Sequence, residues 1–441
     1  MKTPIKDFVK KYALNKSVRL HMPGHKGVNF LGLELFDLTE IDGADVLYNA
    51  KGVILESQNN ATALFGTKKT LYSTEGSSLS IRAMVHLVKC FAQSRQQSAK
   101  ILAFRNVHKS FVTATALANV DVKWLWGQQS GILTCKMDDV QLESEIVKEK
   151  PTALFVTSPD YLGNVQDVEK IAKICHKHDV LVLVDNAHGA YLKFTDVHPV
   201  QVGADLVCDS AHKTLPALTP SAYLHVGKTA PDFFVQNAEN ALSLYATTSP
   251  SYLILQSLDN VNKILFNNPN YFDWAKTKVA NLKEKLTTAG FSLVGQESLK
   301  LTVATKSYGY LGEEVAQILK ENNVFVEFSD KDYVTMMFSP CNDQSDFELV
   351  EKILCNLPRK TPINILAPTP KKLQLGMLPN QAIFESSEVV SVDDALNKIL
   401  ATPTVSCPPA IPIATCGEII NQEAVDCFKY YGTNKILVVK Q

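Results

Sequence analysis

Four short apolar runs, set apart by longer stretches, constrain this chain more than any other feature. They are Lys100-Ile101-Leu102-Ala103-Phe104, Thr152-Ala153-Leu154-Phe155-Val156, Val180-Leu181-Val182-Leu183-Val184 and Asp205-Leu206-Val207-Cys208. Each has the length of a strand rather than a helix, and their nearly continuous apolar character suits strands covered on both faces. Between the second and third runs, Val168, Ile171, Ala172, Ile174 and Cys175 keep a helical period, which gives a β-α-β unit. The pattern predicts an α/β fold whose sheet is mainly parallel, with helices on both faces. In such sheets ligands bind beyond the carboxyl ends of the strands. His108, Ser158, Asp185 and the run Ser210 to Lys213 all follow apolar runs in this way.

At 441 residues the chain exceeds one ordinary hydrophobic core, so a second domain is expected. Residues 1–20 read as a basic, partly amphipathic arm carrying Phe8, Val9, Tyr12 and Leu14, expected to pack on a neighbour. Residues 21–268 form the large domain. From 269 to 441 the texture is α+β, with an amphipathic helix over Trp274 to Leu286 and strands over Leu299 to Val303 and Val324 to Phe328. The run Cys407-Pro408-Pro409-Ala410-Ile411-Pro412 cannot be helical and predicts an extended segment or turn. Lys+Arg 44 against Asp+Glu 45 leaves a formal charge of −1, which argues against nucleic-acid binding by charge. No apolar stretch approaches the roughly 18 residues that span a bilayer, and Met1 to Asp7 lacks a signal-peptide core. A cytoplasmic protein without a membrane partner is expected. The nine cysteines include no close Cys-x-x-Cys pair, which suits reduced thiols better than disulfides or structural zinc.

Lys213 and Asp185 stand 28 residues apart, enough for one connecting element and one strand, so both side chains can reach the same sheet edge. A lysine amine can hold an aldehyde as a Schiff base, and a carboxylate can keep a pyridine nitrogen protonated; together they suggest pyridoxal phosphate. Singly, each has a plainer reading: a loop anchor for Asp185, a solvated lysine for Lys213. Thr74-Glu75-Gly76-Ser77-Ser78 leads into an apolar-faced helix, and its amides and hydroxyls could receive the phosphate. On its own it is an ordinary cap, and Glu75 would repel a phosphate unless turned away. His108 could stack on a planar ring, His188 could donate to a ring oxygen, and Ala187 would set only a methyl against the ring face. His21 and His25 supply too few ligands for a metal site, and none is expected.

The order of several motifs resembles the ornithine/lysine/arginine decarboxylase family, among the fold type I pyridoxal phosphate enzymes, and specifically its short members without the N-terminal regulatory-type domain. The similar elements are Leu20-His21-Met22-Pro23-Gly24-His25-Lys26-Gly27, Phe65-Gly66-Thr67, Gly76-Ser77-Ser78, Arg105-Asn106-Val107-His108-Lys109-Ser110, Asp185-Asn186-Ala187-His188-Gly189-Ala190, Ser210-Ala211-His212-Lys213-Thr214-Leu215 and Thr248-Ser249-Pro250-Ser251-Tyr252. The resemblance implies that Lys213 carries the cofactor aldehyde, Asp185 pairs with the pyridine nitrogen and His108 stacks on the ring. Ser77, Ser78, Ser210 and His212 would hold the phosphate, and Ser249 would reach the partner's site in a homodimer or higher homo-oligomer. The implied reaction is decarboxylation of arginine, lysine or ornithine to CO2 and a polyamine-type amine, with arginine ahead. Candidate carboxylates for the substrate cation are Glu327 and Asp330, with Asp42 and Asp45 near the N-terminus. An aminotransferase or lyase, or a non-catalytic protein binding the cofactor or a polyamine, are the alternatives. Three departures stand out: Asn186 where Glu is usual, Glu75 where Asn or a small residue is usual, and Ala410 where Gly is usual.

Overall fold

The computed structural model describes residues 1–127, 131–195, 197–369, 371–403 and 410–440. Seven strands form one sheet: β1 Lys69–Ser73, β2 Lys100–Phe104, β3 Asp121–Leu125, β4 Ala153–Thr157, β5 Leu181–Asp185, β6 Leu206–Asp209 and β7 Ala222–Val226, in the order β1-β7-β6-β5-β4-β2-β3. The four apolar runs become β2, β4, β5 and β6. β5 is buried along its whole length, as a strand covered on both faces must be. β5 and β6 pair in parallel with Asp185 opposite Cys208; β7 runs antiparallel to both β6 and β1. β1, β3 and β7 were not apparent as strands, because polar residues interrupt their apolar pattern.

The chain divides into two compact units. The first comprises Met1–Ala99, Thr152–Leu154 and Val168–Tyr271. Here α1 (Pro4–Leu14) starts with a proline, whose missing N–H costs nothing in a first turn. It buries Ile5 and Val9 against α2 (Val53–Phe65) and the helix Tyr252–Asn267 of its own chain. The helix of the arm is therefore anchored on its own chain, and the Lys6 amide in its first turn donates to the Asp259 carboxylate at 3.0 Å. α3 (Gly76–Ser94) follows β1 after a sharp turn at Gly76, whose φ of +73° is the left-handed region that favours glycine.

The second unit comprises Lys100–Pro151, Phe155–Asp167 and Phe272–Gln441. It holds α4 (Lys109–Ala118) and a four-stranded antiparallel sheet of β8 Ser292–Val294, β9 Lys300–Ala304, β10 Phe328–Ser329 and β11 Tyr333–Met337, in the order β10-β11-β9-β8. The helix expected over Trp274 to Leu286 is present as Asp273–Thr288. The strand expected from Val324 begins only at Phe328. Asn323 takes a left-handed φ of +61° just before it and Phe325 lies exposed, so the chain is still leaving a helix where the apolar pattern reads as strand. Of the proline run, Cys407 to Pro409 fall outside the described residues; Ala410 and Ile411 are buried in irregular chain. The eight described cysteines are free thiols.

Candidate active site

In the first unit, the parallel pairing of β5 and β6 brings Asp185 and the Asp209 to Lys213 run to adjacent strand ends. Asp185 is buried, with its Oδ1 accepting from the Ala187 amide at 3.2 Å and from the Cys208 thiol at 3.5 Å. Burial pushes its carboxyl up from the usual range, while the Lys213 ammonium pulls the other way. Lys213 Nζ lies 3.2 Å from His188 Nε2. Buried Ala211 and Thr214 anchor the short turn that carries this lysine, and His212 ties the turn down by donating from Nδ1 to the Ser221 carbonyl at 2.8 Å.

Close to that turn, the Ser210 hydroxyl donates to the Ser77 hydroxyl at 2.8 Å, joining the end of β6 to the first turn of α3. The Gly76 amide is taken by the Pro220 carbonyl at 2.7 Å. First-turn amides such as those of Ser77 and Ser78 have no helical carbonyl to bond and favour an anion. Glu75 does not oppose this, because its carboxylate turns to accept from the Thr247 amide at 2.7 Å. That bond also places the Thr247–Ser249 loop; Ser249 itself is exposed.

His108, Glu327 and Asp330 belong to the second unit. His108 caps α4: its Nδ1 accepts from the Ser110 amide at 3.2 Å, which leaves the proton on Nε2 of the neutral ring. Before it, Arg105 is buried against Glu418 at 2.9 Å, with Trp124 and Trp126 about its guanidinium. Glu327 is exposed and accepts from the Tyr161 hydroxyl. Asp330 is buried, and the amides of Asp332 and Tyr333 both donate to Oδ1, whereas Oδ2 has no partner among the described residues. Burial pushes its carboxyl up to about 6. Asp45, by contrast, uses both oxygens on the amides of Val46, Lys51, Gly52, Ile54 and Leu55, which leaves it a structural cap rather than a ligand for a cation.

A family profile described as Orn/Lys/Arg decarboxylase, major domain, matches residues 3–281. The chain belongs to this family. Arginine decarboxylase of Bacillus subtilis is 32% identical to it, covering 96% of this chain and 92% of that protein. Arginine decarboxylase of Halalkalibacterium halodurans is 29% identical over 95% of this chain and 91% of its own. Among solved structures, the lysine decarboxylase LdcF of Francisella novicida superposes with a TM-score of 0.81 at 15% identity, covering 99% of this chain and 81% of that one. The constitutive lysine decarboxylase of E. coli gives 0.79 at 16% identity, over 100% and 82%. At these identities the structural likeness shows the fold, and the expected α/β architecture with a mainly parallel sheet and a smaller α+β part is the one observed, the latter with an antiparallel sheet. As a member of the Orn/Lys/Arg decarboxylase family, the chain is a basic amino acid decarboxylase.

The family implies pyridoxal phosphate, and the residues fit it. A buried carboxylate without a full set of donors suits a pyridinium N–H, and the start of α3 with Ser77 and Ser210 suits a phosphate. The hydroxyls of Thr214 and Ser221 are buried near the same turn without a partner among the described residues, a cost that a bound polar ligand would relieve.

Reading the sequence alone missed a further cluster in this decarboxylase. Asn186, His198, Asp209 and His225 are buried together beside Asp185, with the Asn186 amide 2.7 Å from Asp209 Oδ1. The negative charge absent at position 186 is thus supplied at 209. The signal was present in the ionisable residues inside or next to apolar strands, which must be bonded when buried.

Proposed function

We propose that the chain decarboxylates arginine in preference to lysine or ornithine, with pyridoxal phosphate attached at Lys213. The observation that carries the reading is the pairing of Asp185 with Lys213 at the buried ends of adjacent strands, in a member of this family. When bound, the cofactor would supply an electron sink for the pair left behind as the α-carboxylate departs. Asp185 would hold the ring nitrogen protonated, and Ser77, Ser78, Ser210 and His212 would fix the phosphate, so that the ring cannot rotate. Ala187 would set only a methyl against a ring face, leaving room for the planar ring. Lys213 and His188 are the proton carriers for that carbon, since each can hold a proton on nitrogen. For the substrate cation we favour Asp330 over Glu327, because a guanidinium can satisfy the unpartnered Oδ2 while Glu327 already has a partner.

The reading carries a cytoplasmic homodimer with it. Val18, Leu20, Phe30 and Leu31 are between 75% and 89% exposed in the single chain, an apolar stretch that a second copy would cover. Incubation with cofactor and a panel of amino acids tests the function. Release of CO2 with the matching amine, fastest from arginine, is expected; a 2-oxo acid product would assign an aminotransferase instead, and leucine turned over as well as arginine would refute a basic substrate.

A further inference from the structure

The buried cluster beside Asp185 offers ligand atoms of His198, Asp209 and His225 within 4.8 Å of one another, which at first suggests a metal. The proton positions exclude it. The Val200 amide donates to Nδ1 of His198 at 3.3 Å, so the proton of that ring is on Nε2, which donates to Asp209 Oδ2 at 2.9 Å. A metal on Nε2 would force the proton to Nδ1, against an N–H donor. His225 Nε2 donates to the same carboxylate oxygen at 3.1 Å, and its Nδ1 meets the Thr70 hydroxyl at 2.9 Å. Asn186 Nδ2 donates to Oδ1 at 2.7 Å. Asp209 therefore receives three donors. Nδ1 of His198 faces the Val200 amide, and burial lowers the affinity of His225 for a second proton despite the carboxylate beside it. Burial pushes the Asp209 carboxyl up, but His198 and His225 beside it hold it well below the usual carboxylate range, so it is ionised at the end of the strand next to Asp185.

We propose that Asp209 is a positioning residue whose fixed buried charge, next to Asp185, holds the proton shared by Asp185 and the pyridine nitrogen of the bound cofactor. A second anion close by raises the affinity for a proton of Asp185 and of the ring nitrogen bonded to it, so the proton shared between them is held more tightly. The groups facing the two carboxylates are consistent with this. Cys208 and Tyr223 are buried and held in their neutral forms by burial and by the carboxylates themselves. The ammonium acting on Asp185 is that of Lys213, the nitrogen proposed to bind the cofactor. Asn186 adds a tether, since its backbone follows Asp185 directly and its amide grips Asp209.

This inference rests on the cofactor reading above, and one experiment separates the two. The holoenzyme is loaded with pyridoxal phosphate labelled with 15N in the ring, and the nitrogen shift is followed against pH by NMR. A parent protein that does not hold the label at Lys213 overturns the cofactor reading itself. With the label held, the parent nitrogen should stay protonated, and Asp209→Asn should lower the pH at which it loses its proton by about one unit or more, the size expected when a nearby charge is removed. An unchanged profile overturns the role of Asp209. The double variant Asn186→Asp/Asp209→Asn moves the carboxylate to the other end of the 2.7 Å bond, where His198 Nε2 is 3.0 Å away; it should restore the parent profile, and a folded double variant that still behaves as the single one also overturns the proposal. If Asp209→Asn does not fold, His198→Asn removes one donor but keeps the carboxylate and its charge; the parent profile should persist, and a fall of about one unit or more would mean that the imidazole rather than the carboxylate sets it, which overturns the proposal.

Discussion

The strand ends of the first unit and the loops of the second handle buried polar groups differently. In the first, the charged groups have protein partners, since Lys213 meets His188 and Asp209 collects three donors, and what lacks one among the described residues is neutral: the Thr214 and Ser221 hydroxyls and Oδ1 of Asn186. In the second, Asp330 keeps one oxygen buried without a partner among the described residues, and Ala410 sits at a φ of +52°. A network satisfied from within is rigid before any ligand arrives, which suits a bed for a cofactor that stays. An unsatisfied group stores a cost that a transient ligand relieves, which suits recognition of a substrate that must leave.

The harshest way to break this contrast is at Lys213. Lys213→Ala should abolish both covalent cofactor attachment and turnover. Borohydride reduction of the parent followed by peptide mapping should mark Lys213 alone, and a label on another lysine would remove the basis for assigning the cofactor to the first unit. Asp185→Asn should follow, with a rate lower by about 100- to 1,000-fold or more, as for loss of a main electrostatic contact. The cofactor should still bind, because the start of α3 is untouched. A near-normal rate would mean that another group holds the ring nitrogen.

Asp330 tests the other side of the comparison. Its carboxyl is pushed up to about 6, so it is ionised at pH 8 and largely neutral at pH 5, whereas arginine stays cationic throughout. KM for arginine should rise as the pH falls through 6. Asp330→Asn should raise KM by about 10- to 100-fold at pH 8, as for losing one charge-assisted hydrogen bond, and should flatten that pH dependence. Cofactor absorbance should not change. The same substitution should stabilise the free protein. A carboxyl whose folded value lies above its unfolded one favours folding below the unfolded value and loses that advantage as the pH rises through 6. Replacing it should therefore gain up to about 3 kcal/mol at pH 8, less toward pH 4. A variant that loses affinity without gaining stability would show that Oδ2 is not a stored cost, and an unchanged KM would remove Asp330 from the substrate site.

How much of this was legible depended on whether a residue's chemistry or its geometry mattered. β2, β4, β5 and β6 were readable because strands covered on both faces leave continuous apolar runs, and Asp185 and Lys213 because each follows such a run. β7 was hidden by His225, whose burial makes sense only once Asp209 and Thr70 are seen beside it. The Asn186 departure stood out in the sequence without a reason; in the structure its amide bonds a residue 23 positions away, which spacing along the chain does not reveal. Val324 to Val326 misled in the opposite sense, since an apolar pattern carries no record of the left-handed Asn323 before it.

The smallest expected effect distinguishes the two kinds of cost in the second unit. Ala410 stands where the family usually has Gly, and its φ of +52° brings Cβ toward its own carbonyl oxygen, at roughly 1–2 kcal/mol. The position is fixed from outside: the Ala410 carbonyl accepts from the Lys109 amide at 2.9 Å, directly after His108. Ala410→Gly relieves the strain but returns part of the gain, because glycine loses about 0.5–1 kcal/mol more chain entropy on folding. A net gain below about 1 kcal/mol, or a Tm higher by about 2 °C, is expected. Because the strain is in the backbone and no ionisable group takes part, the gain should be equal at pH 5 and pH 8, where the gain from Asp330→Asn differs, and kcat should stay unchanged. A pH-dependent gain from Ala410→Gly would mean that the backbone strain and the buried carboxyl are coupled, and the second unit would then carry one cost rather than two.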